Sequence, residues 1–291
     1  MIRSFLRPVT IYDACQQMRD HGENAVLVAG ATHVVNELHR GLINPSVLVD
    51  IYRLNGLDVI CMEGEELMLG SLVTISELIA SSVVRQFVPA LCQAAQSVGG
   101  KQRRNRGTLG GSIVHADPGD EILSVLSAFD CCVVLKDIEG ERVLDLREFI
   151  SGIRQTTIRN DEILTEVRIR LPERGSRMSF RKVSRRNASS SSVMNLTCLL
   201  LLKDNRIVCA RLALGSVLTK AHRMSDAEVL LAQKKPSRTL FEKAGSLVLN
   251  QALQEAESEG LGIVDSVGSY KFSLMPHFVA QVLTETWERK E

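Results

Sequence analysis

Two nearly unbroken apolar runs, Ala25-Val26-Leu27-Val28-Ala29 and Val47-Leu48-Val49-Asp50-Ile51, constrain this chain more than any other feature. A strand with one face in water alternates apolar and polar residues; a strand buried on both faces does not, and such strands belong to covered parallel sheets. Parallel neighbours need a crossover, and residues 33–40 have the helical periodicity to supply it. With another helix predicted near 10–20, the chain opens as a β-α-β unit. Its first strand enters the crossover helix through Gly30-Ala31-Thr32.

From residue 58 the pattern changes. Short strands at Leu67–Leu69, Cys131–Leu135, Arg142–Leu144 and Ile163–Ile169 alternate with helices near 74–80, 87–98 and 121–129, which predicts a mixed sheet in an α+β subdomain. Leu171-Pro172-Glu173-Arg174-Gly175-Ser176 sets a proline, a glycine and charges between periodic segments and marks a boundary. Strand-like runs at 178–184, 194–202 and 206–214 follow, then helical periodicity near 224–232, 238–250 and 276–288. That order predicts a small antiparallel sheet covered on one face by helices. The expected organisation is a domain over 1–174, with subdomains about 1–57 and 58–174, and a second domain over 175–291. There is no internal repeat, and the serine run Ser189–Ser192 is too short to be a linker.

Composition narrows the function classes. With 291 residues, 45% of them hydrophobic, the chain can bury a core in each of two domains. Its 35 basic residues nearly cancel its 34 acidic ones, so no overall field gathers nucleic acid or an anionic membrane, and any anion site must be local. Aromatic residues, at 4%, are too few for the stacking platforms of single-strand binders. Met1-Ile2-Arg3-Ser4-Phe5 lacks the apolar stretch of an export signal and no later run has membrane-spanning length, so a cytoplasmic protein is expected. The seven cysteines (Cys15, Cys61, Cys92, Cys131, Cys132, Cys198, Cys209) lie among apolar neighbours without a C-x-x-C spacing, and read as core thiols rather than iron–sulfur or zinc ligands. Of six histidines only His33 and His115 fall in motifs, and neither has a companion at metal-ligand spacing, so no metal is expected.

Two segments can hold an anion. Arg104-Asn105-Arg106-Gly107-Thr108-Leu109-Gly110-Gly111-Ser112-Ile113 carries three glycines, which admit positive φ and close approach of bare N–H groups to phosphate, while Thr108 and Ser112 add hydroxyls. The alternative is a glycine-rich turn that only connects elements. Val28-Ala29-Gly30-Ala31-Thr32-His33 is a strand entering a helix N-terminus, where unpaired N–H groups and the helix dipole favour phosphate. Small residues at such a joint can equally serve packing, and the segment is not the G-x-G-x-x-G of dinucleotide-binding Rossmann folds.

Both segments together, in this order, resemble the FAD domain of the molybdenum hydroxylase flavoproteins, the medium-subunit type of xanthine dehydrogenase and carbon monoxide dehydrogenase. The family's A-G-G-T-D stands here as Ala29-Gly30-Ala31-Thr32-His33, and its R-N-x-G-T-x-G-G-[NS] as Arg104 to Ser112. Its A-x-P-x-x-D is similar to Ala116-Asp117-Pro118-Gly119-Asp120-Glu121, and its I-G-[AS]-x-x-T strand end to Leu69-Gly70-Ser71-Leu72-Val73-Thr74. The lysine strand F-x-K-x-x-x-R-x-A is similar to Phe180 through Lys182 and Arg186 to Ala188. Three residues depart from the pattern. Ala31 replaces a glycine and is harmless only where its φ is negative. His33 replaces an acid that would cap the helix better, and Glu121 stands in the place of an aspartate, with Asp120 beside it.

The resemblance implies a PCMH-type FAD-binding domain, a β-α-β unit plus a mixed sheet, followed by a C-terminal antiparallel sheet with helices. It also implies a site. The FAD diphosphate is expected across Gly30, Ala31, Thr32 and His33, with Val34 behind them, and across Gly110, Gly111 and Ser112, mainly on backbone donors. Leu27, Val28, Leu69 and Ile75 are expected to wall the cofactor, Ala29 to belong to the first cofactor-binding segment, Thr108, Asp120 and Glu121 to reach ribose or ring edges, and Lys182 to place a cation near the flavin ring. Lys101, Arg103, Arg104 and Arg106 surround the second segment and either supplement phosphate neutralisation, face a partner subunit or lie in solvent.

No acid, base or nucleophile constellation for an organic substrate is present, so no catalytic residue is assigned. The resemblance implies that a molybdopterin-bearing large subunit hydroxylates a purine, another heteroaromatic compound or an aldehyde. Electrons then pass through iron–sulfur clusters on a small subunit to FAD on this chain, and on to NAD or another acceptor. Two alternatives are a stand-alone flavin oxidoreductase of the same fold, with His33 as a conceivable covalent attachment point, and a scaffold that has lost FAD.

Overall fold

The structure, a computed structural model, describes residues 2–186, 190–261 and 266–289. The end of the lysine-strand motif, Asn187-Ala188, and the first residue of the serine run, Ser189, lie outside them. From the N-terminus the elements are β1 (Ser4–Leu6), α1 (Ile11–His21), β2 (Ala25–Val28), α2 (Val34–His39), β3 (Val47–Asp50), β4 (Ile60–Glu63), β5 (Glu66–Gly70), α3 (Ile75–Ala80), α4 (Ser82–Phe87) and α5 (Pro89–Ser97). They continue as α6 (Lys101–Arg104), α7 (Leu109–His115), α8 (Glu121–Ala128), β6 (Asp130–Lys136), β7 (Glu141–Asp145), α9 (Leu146–Phe149), β8 (Ile150–Gly152), β9 (Gln155–Thr156) and β10 (Ile163–Arg170). Last come β11 (Arg177–Ser184), β12 (Ser192–Lys203), β13 (Arg206–Gly215), β14 (His222–Arg223), α10 (Ser225–Leu231), α11 (Arg238–Ser258) and α12 (Ser266–Glu288).

These elements gather into two compact units, one of Met1–Val83, Gly100–Ala116 and Asp130–Arg170, the other of Val84–Gly99, Asp117–Phe129 and Leu171–Glu291. The second unit takes in α5 and α8 for a packing reason. Every residue of α8 is buried, and a helix buried all round needs neighbours on all sides; it packs on β12 and β13. α5 lies against β11, where Gln93 Oε1 accepts the Phe180 N–H at 2.8 Å.

In the first unit the two apolar runs pair in parallel, Ala25↔Val47 through Val28↔Asp50. The sheet order is β1-β3-β2. β1 escapes a sequence reading because it is three residues long and mostly exposed. α1 begins at Thr10 with a capping box to Asp13, and buries Ala14, Cys15 and Met18 against Val47, Val49 and Ile51. The second sheet, β4-β5-β10-β6-β7, is antiparallel at every pairing, where a mixed sheet was expected. β4–β5 and β6–β7 are consecutive antiparallel pairs, and β10 returns antiparallel to both β5 and β6, so no strand needs a parallel crossover.

The second unit is the expected antiparallel sheet, β11-β12-β13-β14, with α10, α11 and α12 packed over a core that includes Leu196, Leu212, Phe241, Val248 and Val282. α12 starts at Ser266, ten positions before the proline that reads as a helix start, and carries Pro276 in its interior. The backbones of α11 and α12 meet there: a Cβ on Gly245 would lie 2.3 Å from the Pro276 carbonyl oxygen, so only glycine fits. Cys15, Cys92, Cys131 and Cys198 are buried, and burial pushes the Cys15 thiol to about 11 and that of Cys198 to about 12. Cys61 is exposed on the edge strand β4, where side chains alternate outward, so the core-thiol reading fails at that position. No helix among the described residues is long and apolar enough to cross a membrane.

Candidate functional site

Both segments expected to hold an anion belong to the first unit. At the first, β2 ends at Val28, whose carbonyl accepts the Ile51 N–H at 2.9 Å, and the chain turns through Ala29–His33 into α2. Ala31 turns it with φ 63°, the left-handed region, so the negative φ that would make its methyl harmless is not adopted. A non-glycine residue there costs about 1 kcal/mol or more. His33 occupies the N-cap position but makes no side-chain cap. Among the described residues the N–H groups of Gly30, Ala31 and Thr32 have no protein acceptor.

The second segment differs from its reading. The glycine loop becomes helix α7 at Leu109, and none of Gly107, Gly110 and Gly111 takes positive φ. Thr108 is its N-cap, accepting the Gly111 N–H at 3.1 Å. The Leu109 N–H donates to Val73 O and the Gly110 N–H to Ser71 O, both at 2.8 Å, and the Ser112 N–H donates to Thr108 O at 3.0 Å. Each backbone donor expected to meet phosphate here already has an acceptor. Thr108 accepts two of these and Ser71 and Val73 the others; the latter lie in the stretch read as a wall, which also pairs Thr74 with Thr108 and places Ile75 N on Gly107 O at 3.0 Å. Gly110 is needed for proximity: a Cβ would stand 2.7 Å from that of Ser71. The Ser71 Oγ is buried without a partner among the described residues, and Ser112 is a buried residue of α7.

The two segments touch. A Cβ on Gly30 would lie 1.9 Å from Arg106 O, and one on Gly107 would be 3.7 Å from Thr32 Oγ1. Side chains tie them further. The Arg103 guanidinium approaches His33 Nε2 at 3.1 Å, the rings of His33 and His115 stack with centroids 3.7 Å apart, and His115 Nδ1 lies 3.6 Å from Glu37 Oε1. Arg106 stacks on Tyr52 at 4.1 Å. Arg103 was read only as one of four cations that could support phosphate, with nothing to single it out, while Glu37 and Tyr52 went unread and gave no signal.

The remaining expected residues divide between the two units. Leu27, Ala29 and Val34 are half-buried and Val28 is buried, all flanking the first turn. Leu69 is a wholly buried core residue of β5. In the second unit Asp120 caps α8, its Oδ1 accepting the Ile122 N–H at 2.8 Å. Glu121 and Lys182, both nearly buried, pair with each other at 2.8 Å. The Lys182 ammonium also donates to Ser97 O at 2.9 Å and Ser190 O at 3.1 Å, and Ser192 Oγ donates to Glu121 Oε1 at 2.9 Å. All three Lys182 protons are thereby engaged.

Residues 1–172 match the FAD binding domain in molybdopterin dehydrogenase, and residues 179–263 match the CO dehydrogenase flavoprotein C-terminal domain. The chain is 27% identical to the nicotine 6-hydroxylase medium subunit of Paenarthrobacter nicotinovorans, over 98% of this chain and 97% of that one. Among solved structures it is similar to quinoline 2-oxidoreductase from Pseudomonas putida 86, with 26% identity, 98% and 97% of the two chains covered and a TM-score of 0.89. It also shares the fold of carbon monoxide dehydrogenase from Hydrogenophaga pseudoflava, with 23% identity, 100% and 99% coverage and a TM-score of 0.91.

Proposed function

We propose, because this chain belongs to the family of FAD-binding subunits of molybdenum hydroxylases, that it is the electron outlet of such a complex. In this reading electrons arrive from iron–sulfur clusters on a small partner subunit. They originate at a molybdopterin-bearing large subunit and leave for NAD or another acceptor. FAD, the cofactor of the family, supplies the passage between one-electron and two-electron carriers when bound.

The observation that carries the reading is the row of three N–H groups on Gly30, Ala31 and Thr32, without protein acceptors and backed by the second segment at van der Waals range. Such a row, at the positive end of a helix, suits a diphosphate. The residues present therefore fit the cofactor. On the second segment we assign the contact to the Ser112 hydroxyl rather than to backbone donors, since Gly110 and Gly111 have spent theirs on Ser71 and Thr108. Leu27, Val28, Ala29 and Val34 exclude water from the first turn. Asp120 fixes the start of α8, and the Glu121–Lys182 pair holds the start of β12 to α8 through Ser192. Lys182 would touch a flavin edge only by giving up one of its three acceptors.

Xanthine-dehydrogenase-like chemistry on a purine, a heteroaromatic compound or an aldehyde is proposed for the complex, not for this subunit. The relatives are named for nicotine, quinoline and carbon monoxide, yet this fold is common to them. The test is reconstitution of the purified full chain with FAD, followed by co-purification from its native host with metal analysis. Stoichiometric flavin, together with molybdenum and iron in the isolated complex, is the expected result. A chain that stays colourless would assign the scaffold role, and flavin that remains on the denatured polypeptide would assign the stand-alone covalent flavoenzyme.

A further inference from the structure

We propose that Arg103 is the cationic half of the diphosphate site, a role that rests on the FAD reading above. The first segment offers N–H donors but no charge, and the N–H groups of the second are consumed by Val73, Ser71 and Thr108. The two negative charges of a diphosphate therefore require a side chain. Arg103 is exposed on α6, and its guanidinium reaches across to the first segment at His33 Nε2. A guanidinium only donates, so in this contact Nε2 is the acceptor. The contact thus aims Arg103 without cancelling its charge. No carboxylate among the described residues pairs with Arg103, and most of its five donors are left over after the His33 contact.

The aim is fixed rather than incidental. His33 is held by its stack on His115, which lies in turn against Glu37. The other cations nearby have different occupations: Arg106 lies over Tyr52, and neither Lys101 nor Arg106 bonds to the first segment. With an imidazole rather than a carboxylate at position 33, Arg103 meets no opposite charge there and keeps its own beside Ala31, the residue that takes the left-handed turn.

The full chain, stripped of flavin, is titrated with FAD and with riboflavin, which lacks the diphosphate, with flavin fluorescence as the readout. Arg103→Gln should weaken FAD binding about 10- to 100-fold, the worth of a charge-assisted hydrogen bond, and leave the weaker riboflavin binding unchanged. Its FAD affinity should also fall less steeply with salt than that of the parent chain. Lys101→Gln, a neighbouring exposed cation, should leave FAD binding within about twofold. The proposal is overturned if Arg103→Gln binds FAD as tightly as the parent with the same salt slope, or if Lys101→Gln weakens it equally, which would mean diffuse charge. If the parent chain itself takes up no FAD, the reading on which the proposal stands has failed as well, and the two failures are told apart by that control.

Discussion

The segments 30–33 and 108–112 each bring small residues to the start of a short helix, yet they use their backbones in opposite ways. At the first, N–H groups are left without acceptors and an alanine, not a glycine, takes the left-handed turn. At the second, the glycines keep ordinary φ and every leading N–H is tied to Val73, Ser71 or Thr108. Glycine therefore has one use in both places: it lets two backbones come within van der Waals range, at Gly30 against Arg106 and at Gly110 against Ser71. Donors remain for a ligand only where no acceptor meets the N–H groups, as at Gly30, Ala31 and Thr32. The second segment is a buttress, and the first is the seat.

The harshest way to break this comparison is Gly30→Ala. Its Cβ would fall 1.9 Å from Arg106 O and 2.7 Å from Arg106 C, both backbone atoms that cannot rotate away. A loss of about 3 kcal/mol or more in urea unfolding is expected, together with loss of bound flavin. A midpoint near that of the parent chain would mean that the two segments are not pinned together.

A pair of substitutions sharpens the claim about the second segment. Gly110→Ala meets the Ser71 Cβ at 2.7 Å and its carbonyl oxygen at 2.8 Å, and should cost about 2 kcal/mol. Gly111→Ala meets only the Thr108 hydroxyl at 3.0 Å, and the better helix propensity of alanine offsets that contact to near neutrality. Equal losses at the two positions would contradict a role based on proximity, since both glycines sit in the same helical turn.

Much of this was legible. The unbroken apolar runs gave the parallel pair because burial on both faces erases alternation, and the motif order located both segments. What stayed hidden depends on residues distant in sequence. The acceptors of the α7 donors, Ser71 and Val73, come from a different strand end, and His33 meets Arg103 seventy positions away. Lys182 reads as a free strand cation until Glu121, Ser97 and Ser190 are brought around it. α7 was missed because two adjacent glycines oppose helix formation locally, and the capping bond of Thr108 and the contact with Ser71 outweigh that preference.

The smallest expected effect tests the seat itself. In Ala31→Gly the chain keeps φ 63° without a Cβ, relieving about 1 kcal/mol of left-handed strain. Glycine also loosens the unfolded chain, at a cost of about 0.4–1 kcal/mol, so the net gain in stability should be no more than about 0.5 kcal/mol. Binding should respond more clearly than stability, because removing a methyl from the row of donors lets a diphosphate approach the backbone; an FAD affinity several times higher, with riboflavin unaffected, is expected. A drop in the urea midpoint would show that Ala31 is not strained in solution. Unchanged FAD affinity would place the diphosphate away from Ala31, and with it would go the distinction between seat and buttress.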